Sequence, residues 1–328
     1  MSGDMSSPFL VSNSIASVSG DLAPQDAAWF RKIMSDCVLC PKACHADRLD
    51  GGVGYCGQTA DIMAARASLH YWEEPCISGT QGSGAVFFSG CSLRCIFCQN
   101  FEIAEGNCAK EISGERLSEI FLELQEKGAA NLNLVTGAHY VPHIISALEL
   151  ARGKGMNLPV VYNSSGYENV ETIRRLDGYV DVYLPDMKYM EPELAAAFSN
   201  ARDYPQAAQS AIAEMMRQTG SCQFAEDGYI KRGTIVRHLI LPGHTQNSIA
   251  VLKYLYRTYG EDIFISVMNQ YTPVWKNEKF PELNRKVTRR EYEKVLDAAI
   301  ELGIENGYFQ EGETAEESFI PAFDYEGV

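Results

Sequence analysis

Between Gly90 and Phe101 the chain reads Gly-Cys-Ser-Leu-Arg-Cys-Ile-Phe-Cys-Gln-Asn-Phe, which sets Cys91, Cys95 and Cys98 at C-x₃-C-x₂-C. Three closely spaced thiolates suit a [4Fe–4S] cube, each sulfur taking one iron corner. No fourth cysteine follows at short range, so the fourth iron is left open to a ligand that is not protein. An open iron on a reducible cluster is a site for chemistry as well as for electron storage. The competing reading, a tetrahedral structural zinc, needs a fourth nearby donor, and His139 or His238 would have to supply it.

A second set lies upstream. Cys37-x₂-Cys40-Pro41-x₂-Cys44, followed by Cys56, supplies four sulfurs. That number satisfies either a closed [4Fe–4S] cluster or a structural zinc. A closed cluster relays an electron or contacts substrate, whereas a zinc staples a segment too small to build its own core. Cys76, Cys108 and Cys222 lack partner spacing and are expected to be small buried apolar residues, with Cys76 set apart by its place in the segment leading to the first strand. The clustering of the ten cysteines in short groups, not in dispersed pairs, points to metal in a reducing compartment.

The net charge of -15 leaves no basic footprint for nucleic acid. No window approaches the ~18 apolar residues that span a bilayer, and no basic, apolar leader opens the chain. A soluble cytoplasmic protein is expected.

These residues need a scaffold. From residue 84 short apolar runs alternate with longer amphipathic stretches, the pattern of βα units on a parallel sheet. Strands are predicted at 85–89, 132–136, 159–163, 180–184, 235–241 and 263–268. Helices are predicted at 115–127, 141–152, 170–176, across a longer region 191–219, at 248–259 and at 290–302, the last with Thr288 as N-cap. Six units make a partial (β/α)₆ TIM-like barrel of class α/β, with an N-terminal Cys-rich segment. The expected division is a disordered tail at 1–24, the Cys-rich segment at 25–80, a catalytic core at 81–310 and a C-terminal tail at 311–328. In such a barrel functional residues sit at the C-terminal strand ends. The odd residues fall there: Cys91, Cys95 and Cys98 after the first strand, Gly137 to Tyr140 after the second, Ser164 to Gly166 after the third, Asp186 and Lys188 after the fourth, Gly243 and His244 after the fifth and Asn269 to Tyr271 after the sixth.

The cysteine loop after a first strand resembles the radical S-adenosylmethionine (SAM) superfamily. Glu73-Glu74-Pro75, Gly82-Ser83-Gly84, Phe87 through Cys91, Cys98-Gln99-Asn100, His139-Tyr140-Val141-Pro142, Val161-Tyr162-Asn163, Leu184 through Tyr189, Arg237-His238-Leu239 and Gln270-Tyr271 are similar to the branch related to pyruvate formate-lyase activating enzyme. The likeness runs from about Cys37 to Gln310. It implies an oxidoreductase of anaerobic chemistry. Cys91, Cys95 and Cys98 would hold the cube, and SAM would chelate the open iron. The reduced cluster would cleave SAM to methionine and a 5′-deoxyadenosyl radical that abstracts hydrogen from a substrate. Residue by residue, Asn100 matches a position near cluster and adenine, and Asn163, Ser164 and Gly166 match the third-strand segment beside SAM. Asp186 and Lys188 match an Asp-x-Lys pair, and Arg237 matches a basic residue near the SAM carboxylate or ribose.

Two departures stand out. Many relatives carry Gly-Gly-Glu after the second strand to receive the SAM amine, where this chain has Val135-Thr136-Gly137-Ala138-His139. Thr136, backbone carbonyls or His139 are left to take that role. The activating enzymes proper hold a monovalent cation partly by an Asp pair, and here one of those positions is Asn163. The implied partners are a flavodoxin- or ferredoxin-type reductant and a glycyl-radical enzyme whose glycyl Cα would lose hydrogen. The alternatives are a peptide or small-molecule substrate, or a non-catalytic Fe–S or zinc protein that binds a partner.

Overall fold

The structure is a computed structural model and describes residues 24–310 and 321–328. The first helix, α1 (Pro24–Ser35), leads into the cysteine loop, after which β1 (Ile62–His70) and the one-turn α2 (Pro75–Ser78) precede β2 (Ser83–Phe88). The chain continues through α3 (Phe101–Ala104), β3 (Lys110–Ile112) and α4 (Gly114–Glu126) to β4 (Leu132–Val135). Then come α5 (Val141–Gly153), β5 (Val160–Ser164), α6 (Val170–Arg175), β6 (Val182–Pro185), α7 (Pro192–Ser199) and α8 (Tyr204–Thr219). The last elements are β7 (Gln223–Phe224), β8 (Ile230–Leu239), α9 (Thr245–Tyr259), β9 (Phe264–Met268), α10 (Arg289–Leu302) and β10 (Gly307–Phe309).

The strands form one sheet in the order β10-β9-β8-β6-β5-β4-β2-β1-β3, with β7 attached to β8. Neighbours from β2 to β10 along this path pair in parallel, while β1 pairs antiparallel with β2 and β3 antiparallel with β1. The edges do not meet, so the architecture is a partial α/β barrel. The six predicted parallel strands are all present, and they read clearly because β2, β4, β5 and β6 are buried at every residue. A strand covered on both faces is a continuous apolar run.

Local signals set the helix limits. Ser113 caps α4 by accepting the Arg116 N–H, and Leu117, Ile120, Phe121 and Leu124 make its buried stripe. Thr288 and Glu291 form a capping box at α10, which ends on left-handed Gly303. The long helical region expected over 191–219 is two helices. Asn200 takes the left-handed conformation at the end of α7, and Pro205 opens α8.

The sheet reaches into the segment upstream of residue 81. β1 is Ala-rich, with a mixed burial pattern, and so lacks the branched run that marks its neighbours. Of the C-terminal tail expected over 311–328, residues 321–328 dock on β1. The Ala67 N–H donates to the Glu326 carbonyl at 2.8 Å, and Arg66 pairs with Asp324 and Glu326. Residues 1–23 and 311–320 lie outside the described residues. Among the described residues no helix is long and apolar enough to cross a membrane.

α2 closes the floor of the barrel. Cys76 and Ile77 pack on Val161, Val182, Leu184, Ile230 and Ile235 from the strands. Asn131, just before β4, donates to the Ile77 carbonyl at 2.7 Å and accepts from Ser83, the first residue of β2, at 2.6 Å. The floor therefore lies at the N-terminal ends of the strands, opposite the cysteine loop.

Candidate active site

The cysteine loop leaves the end of β2 through Gly90, whose φ is +89°. A Cβ there would lie 2.5 Å from Gln58 Cγ and 2.9 Å from the Cys56 carbonyl, so the turn requires glycine. Cys91, Cys95 and Cys98 are free and partly exposed. The Leu93 N–H donates to Cys91 Sγ at 3.4 Å and the Ser199 hydroxyl to Cys95 Sγ at 3.0 Å. Burial pushes the Cys95 thiol up to about 11 and Cys98 higher still, with the neighbouring thiols adding to the shift and Lys188 opposing it. The three thiols line one cavity, and burial penalises the anion at Cys95 and Cys98, so a cationic centre beside them would offset that cost. An iron–sulfur cluster fits that donor set.

Across from this loop the strand ends supply a buried polar network. Asp186, just past β6, accepts from Lys188 Nζ at 2.5 Å and from Arg237 Nε at 3.2 Å. Arg237 Nη2 donates to Asn163 Oδ1 at 2.6 Å, and Nη1 to Glu73 Oε2 at 3.2 Å. Glu73 Oε1 accepts from Asn133 at 3.1 Å and Asn163 at 3.2 Å. Burial favours the neutral acid at Asp186, but Lys188 and Arg237 outweigh it and hold the carboxyl below its ordinary value. The Asp186–Lys188 pair is inside the protein, at 14% and 17% side-chain exposure, and so is not the weak surface pair such a spacing often gives. Arg237, a guanidinium in an apolar strand, has two anionic partners in Asp186 and Glu73, as a buried cation must.

Loop and network face one cavity of about 330 Å³, lined by Cys91, Cys95, Cys98, Asn100, Thr136, Asn163, Ser164, Asp186, Lys188 and Arg237. Thr136 adopts φ +61°, a conformation strained for a β-branched residue. Two predicted residues lie outside the lining. His139 turns its ring away, with Nε2 2.7 Å from the Ser89 carbonyl, and burial pushes it down to about 3, so it is neutral. Gly166 sits behind the wall, where a Cβ would be 2.2 Å from the Asp186 carbonyl. His238 is buried against the Met187 carbonyl. Sequence reasoning gave no role to Glu73, Glu74 and His70, which also line the cavity. The adjacent acids before Pro75 were the available signal, but their direction depends on the turn after β1.

The upstream cysteines pack beside the loop. Cys37 and Cys56 are buried, Cys40 is half-buried and Cys44 exposed. Burial pushes Cys40 up to about 12, with Cys56 and Cys37 adding to the shift. The segment is fastened by Arg48, which donates to the His139 carbonyl at 2.6 Å and to the Thr59 carbonyl, and by Asn169 and Thr172, which donate to the Val38 and Leu39 carbonyls. Tyr55 connects the two loops: its hydroxyl donates to the Leu93 carbonyl at 3.3 Å, and its ring is flanked by Lys42 and Arg94. Among the described residues no three His, Cys, Asp or Glu side chains gather around the position of a single ion.

A sequence model of the Radical SAM superfamily matches residues 85–255, just over half of the chain. The chain belongs to the radical SAM superfamily. The matched residues span the cysteine loop and the strand ends through Arg237, and the superfamily implies SAM and a [4Fe–4S] cluster as cofactors. Over 276 residues the chain is 28% identical to Uncharacterized protein MJ0674 of Methanocaldococcus jannaschii, covering 82% of this chain and 75% of that protein. It is 26% identical over 113 residues to the pyruvate formate-lyase-activating enzyme of Clostridium pasteurianum, covering 33% of this chain and 46% of that enzyme. Among solved structures it is similar to Streptococcus suis SuiB bound to S-adenosylmethionine, with TM-score 0.42 and 13% identity, over 68% of this chain and 45% of SuiB. It is also similar to native anSMEcpe with bound AdoMet, with TM-score 0.44 and 12% identity, over 65% of this chain and 57% of that one. The chain thus spans less than half the length of SuiB and of the clostridial enzyme.

Proposed function

We propose that this chain is a radical SAM enzyme that cleaves SAM reductively and uses the product to take hydrogen from a substrate. The observation that carries the reading is the sharing of one cavity by the three thiols and the strand-end residues. In it Cys91, Cys95 and Cys98 would hold the cluster. When bound and reduced, such a cluster would supply the electron that splits SAM into methionine and a 5′-deoxyadenosyl radical able to remove a hydrogen atom from the substrate. Asn100, Thr136, Asn163 and Ser164 present hydrogen-bonding groups to SAM, and Lys188 and Arg237 set the positive side of the cavity. Asp186 fixes both cations, so their donors are oriented before SAM arrives. His139 and Gly166 act from behind, the first by holding the Ser89 carbonyl and the second by letting the chain pass close to Asp186.

The electron comes from a flavodoxin- or ferredoxin-type donor. The likeness to the clostridial activating enzyme supports a glycyl-radical enzyme as substrate, with the glycyl Cα as hydrogen donor. A second reading, modification of a peptide or small molecule, is favoured by the charged residues deep in the cavity. Cys37, Cys40, Cys44 and Cys56 form an auxiliary metal site, either a closed cluster or a zinc. All ten cysteines are free thiols, which supports a reducing compartment.

Anaerobically reconstituted, reduced protein should convert SAM to 5′-deoxyadenosine, read by chromatography, and Cys95→Ala should abolish it. Iron and sulfide without 5′-deoxyadenosine from the parent protein would refute the enzyme reading. For the upstream set, metal analysis of the triple Cys91/Cys95/Cys98→Ala variant decides. Residual iron and sulfide indicate a second cluster and residual zinc a staple, while neither removes the auxiliary site.

A further inference from the structure

The floor of the cavity holds an acid that SAM binding and the cluster do not use. After β1 and the exposed Trp72 the chain turns inward at Glu73 and Glu74 before α2 plugs the barrel. Glu74 lines the cavity and is 7% exposed, yet its Oε2 has no hydrogen-bond partner. The cations nearby are already engaged: Arg237 by Asp186, Asn163 and Glu73, and Lys188 by Asp186. Burial, with Arg66 and Arg237 adding, holds His70 on the same wall below its ordinary value, so it supplies no positive charge at neutral pH. Among the described residues lining the cavity, two cations thus face three carboxylates: Asp186, Glu73 and Glu74. Burial and Glu73 raise the Glu74 carboxyl, while Arg237 and Ser266 oppose the shift. Glu74 thus shares Arg237 with Asp186 and Glu73, and a buried carboxylate without a cation of its own is costly, a cost that an arriving cation removes.

We propose that Glu74, with Glu73 beside it, is a subsite for an ammonium group of the ligand filling the inner end of the cavity. Two molecules could bring that group: the substrate, or SAM through its methionyl amine, for which this chain lacks the acid after β4. The inner position selects the substrate. Glu74 adjoins α2 at the N-terminal ends of the strands, whereas the cysteines that anchor SAM lie at the opposite ends. The inference rests on the SAM-cleaving reading and narrows the substrate to a molecule or side chain bearing a protonated amine.

The test uses the anaerobically reconstituted full chain with saturating SAM, titrated with n-butylamine and, as matched controls, n-butanol and butyrate, followed by ligand-observed NMR. Butylamine should bind in preference to both controls. Glu74→Gln should weaken it roughly tenfold or more, and Glu74→Asp, which keeps the charge, should fall between. SAM affinity, measured by equilibrium dialysis, should stay the same in both variants, and their melting curves report folding. If SAM affinity falls while butylamine binding holds, the subsite belongs to the SAM amine and the substrate assignment is overturned. Equal binding of butylamine and butanol, or no response to either variant, overturns the subsite altogether. Should the parent protein bind butylamine as expected but form no 5′-deoxyadenosine, the subsite stands and the SAM-cleaving reading falls.

Discussion

The two cysteine sets of this chain have similar spacing but different surroundings. Cys91, Cys95 and Cys98 hang from a strand end over a cavity walled by Asn163, Asp186, Lys188 and Arg237. Cys37, Cys40, Cys44 and Cys56 lie in a loop held mainly by backbone groups. The Cys37 N–H donates to the Ala46 carbonyl, its carbonyl accepts from His45, and the Tyr55 N–H reaches Cys44 Sγ at 3.1 Å. Three sulfurs facing a charged cavity leave room for a reacting molecule, whereas four sulfurs in a loop tied down by its own backbone suit a closed centre. The difference teaches that reactivity is set by what surrounds the sulfurs. The loops touch through Tyr55 and Leu93 and through Gly90 and Cys56, a contact that suits electron transfer from a closed cluster in the upstream loop to the catalytic one.

The comparison can be broken most forcefully at its two buried arginines. Arg237→Met leaves Asp186 and Glu73 without their shared cation. Breaking such a pair should cost about 3–5 kcal/mol in denaturant unfolding and abolish SAM binding by dialysis. Arg48 is still more deeply buried but holds carbonyls, not carboxylates. Arg48→Met should cost only about 1–3 kcal/mol and lower the metal content of the upstream set before that of the catalytic loop. Equal losses from the two variants would contradict the distinction between a charged cavity and a backbone-tied loop.

Acid sharpens the contrast more gently. His143 packs edge-on against Phe30 of α1 at 4.8 Å, and burial pushes it down to about 3, with Arg48 adding to the shift. Its folded pKa is below the unfolded value near 6.5, so its stabilisation is complete above that pH and lost as pH falls toward 3. By about pH 5 the loss should be about 1–2 kcal/mol, read as a lower denaturant midpoint, and His143→Phe should flatten that dependence. The smallest effect is expected at Thr136. Thr136→Gly relieves a left-handed backbone and should add about 1 kcal/mol to stability while weakening SAM binding, because the hydroxyl leaves the cavity wall. A gain in stability with unchanged SAM affinity would assign Thr136 to the scaffold alone.

Much of the scaffold was legible because strands buried on both faces leave unmistakable apolar runs, and the strand-end rule then pointed to Asn163, Asp186 and Arg237. β1 was hidden by its alanines and by Arg66, which turns out to the docked C-terminal residues. Glu73 and Glu74 were hidden with it, since only the reversal after β1 sends them inward. The partners of Arg237 come from positions 73, 163 and 186, a convergence that no local spacing records. His139 shows the limit of the rule: the strand end places the residue, but packing chooses which way its ring points.

The central claim is that the three-cysteine cluster has an open iron that meets SAM, while the upstream centre is closed. Electron–nuclear double resonance on the reduced protein with SAM labelled at its amine nitrogen and carboxylate oxygens tests this directly. The account predicts hyperfine coupling from both labels to the cluster of the parent protein. That coupling should persist in Cys40→Ser and vanish in Cys95→Ala. No coupling in the parent protein, or coupling lost in Cys40→Ser but kept in Cys95→Ala, would contradict it.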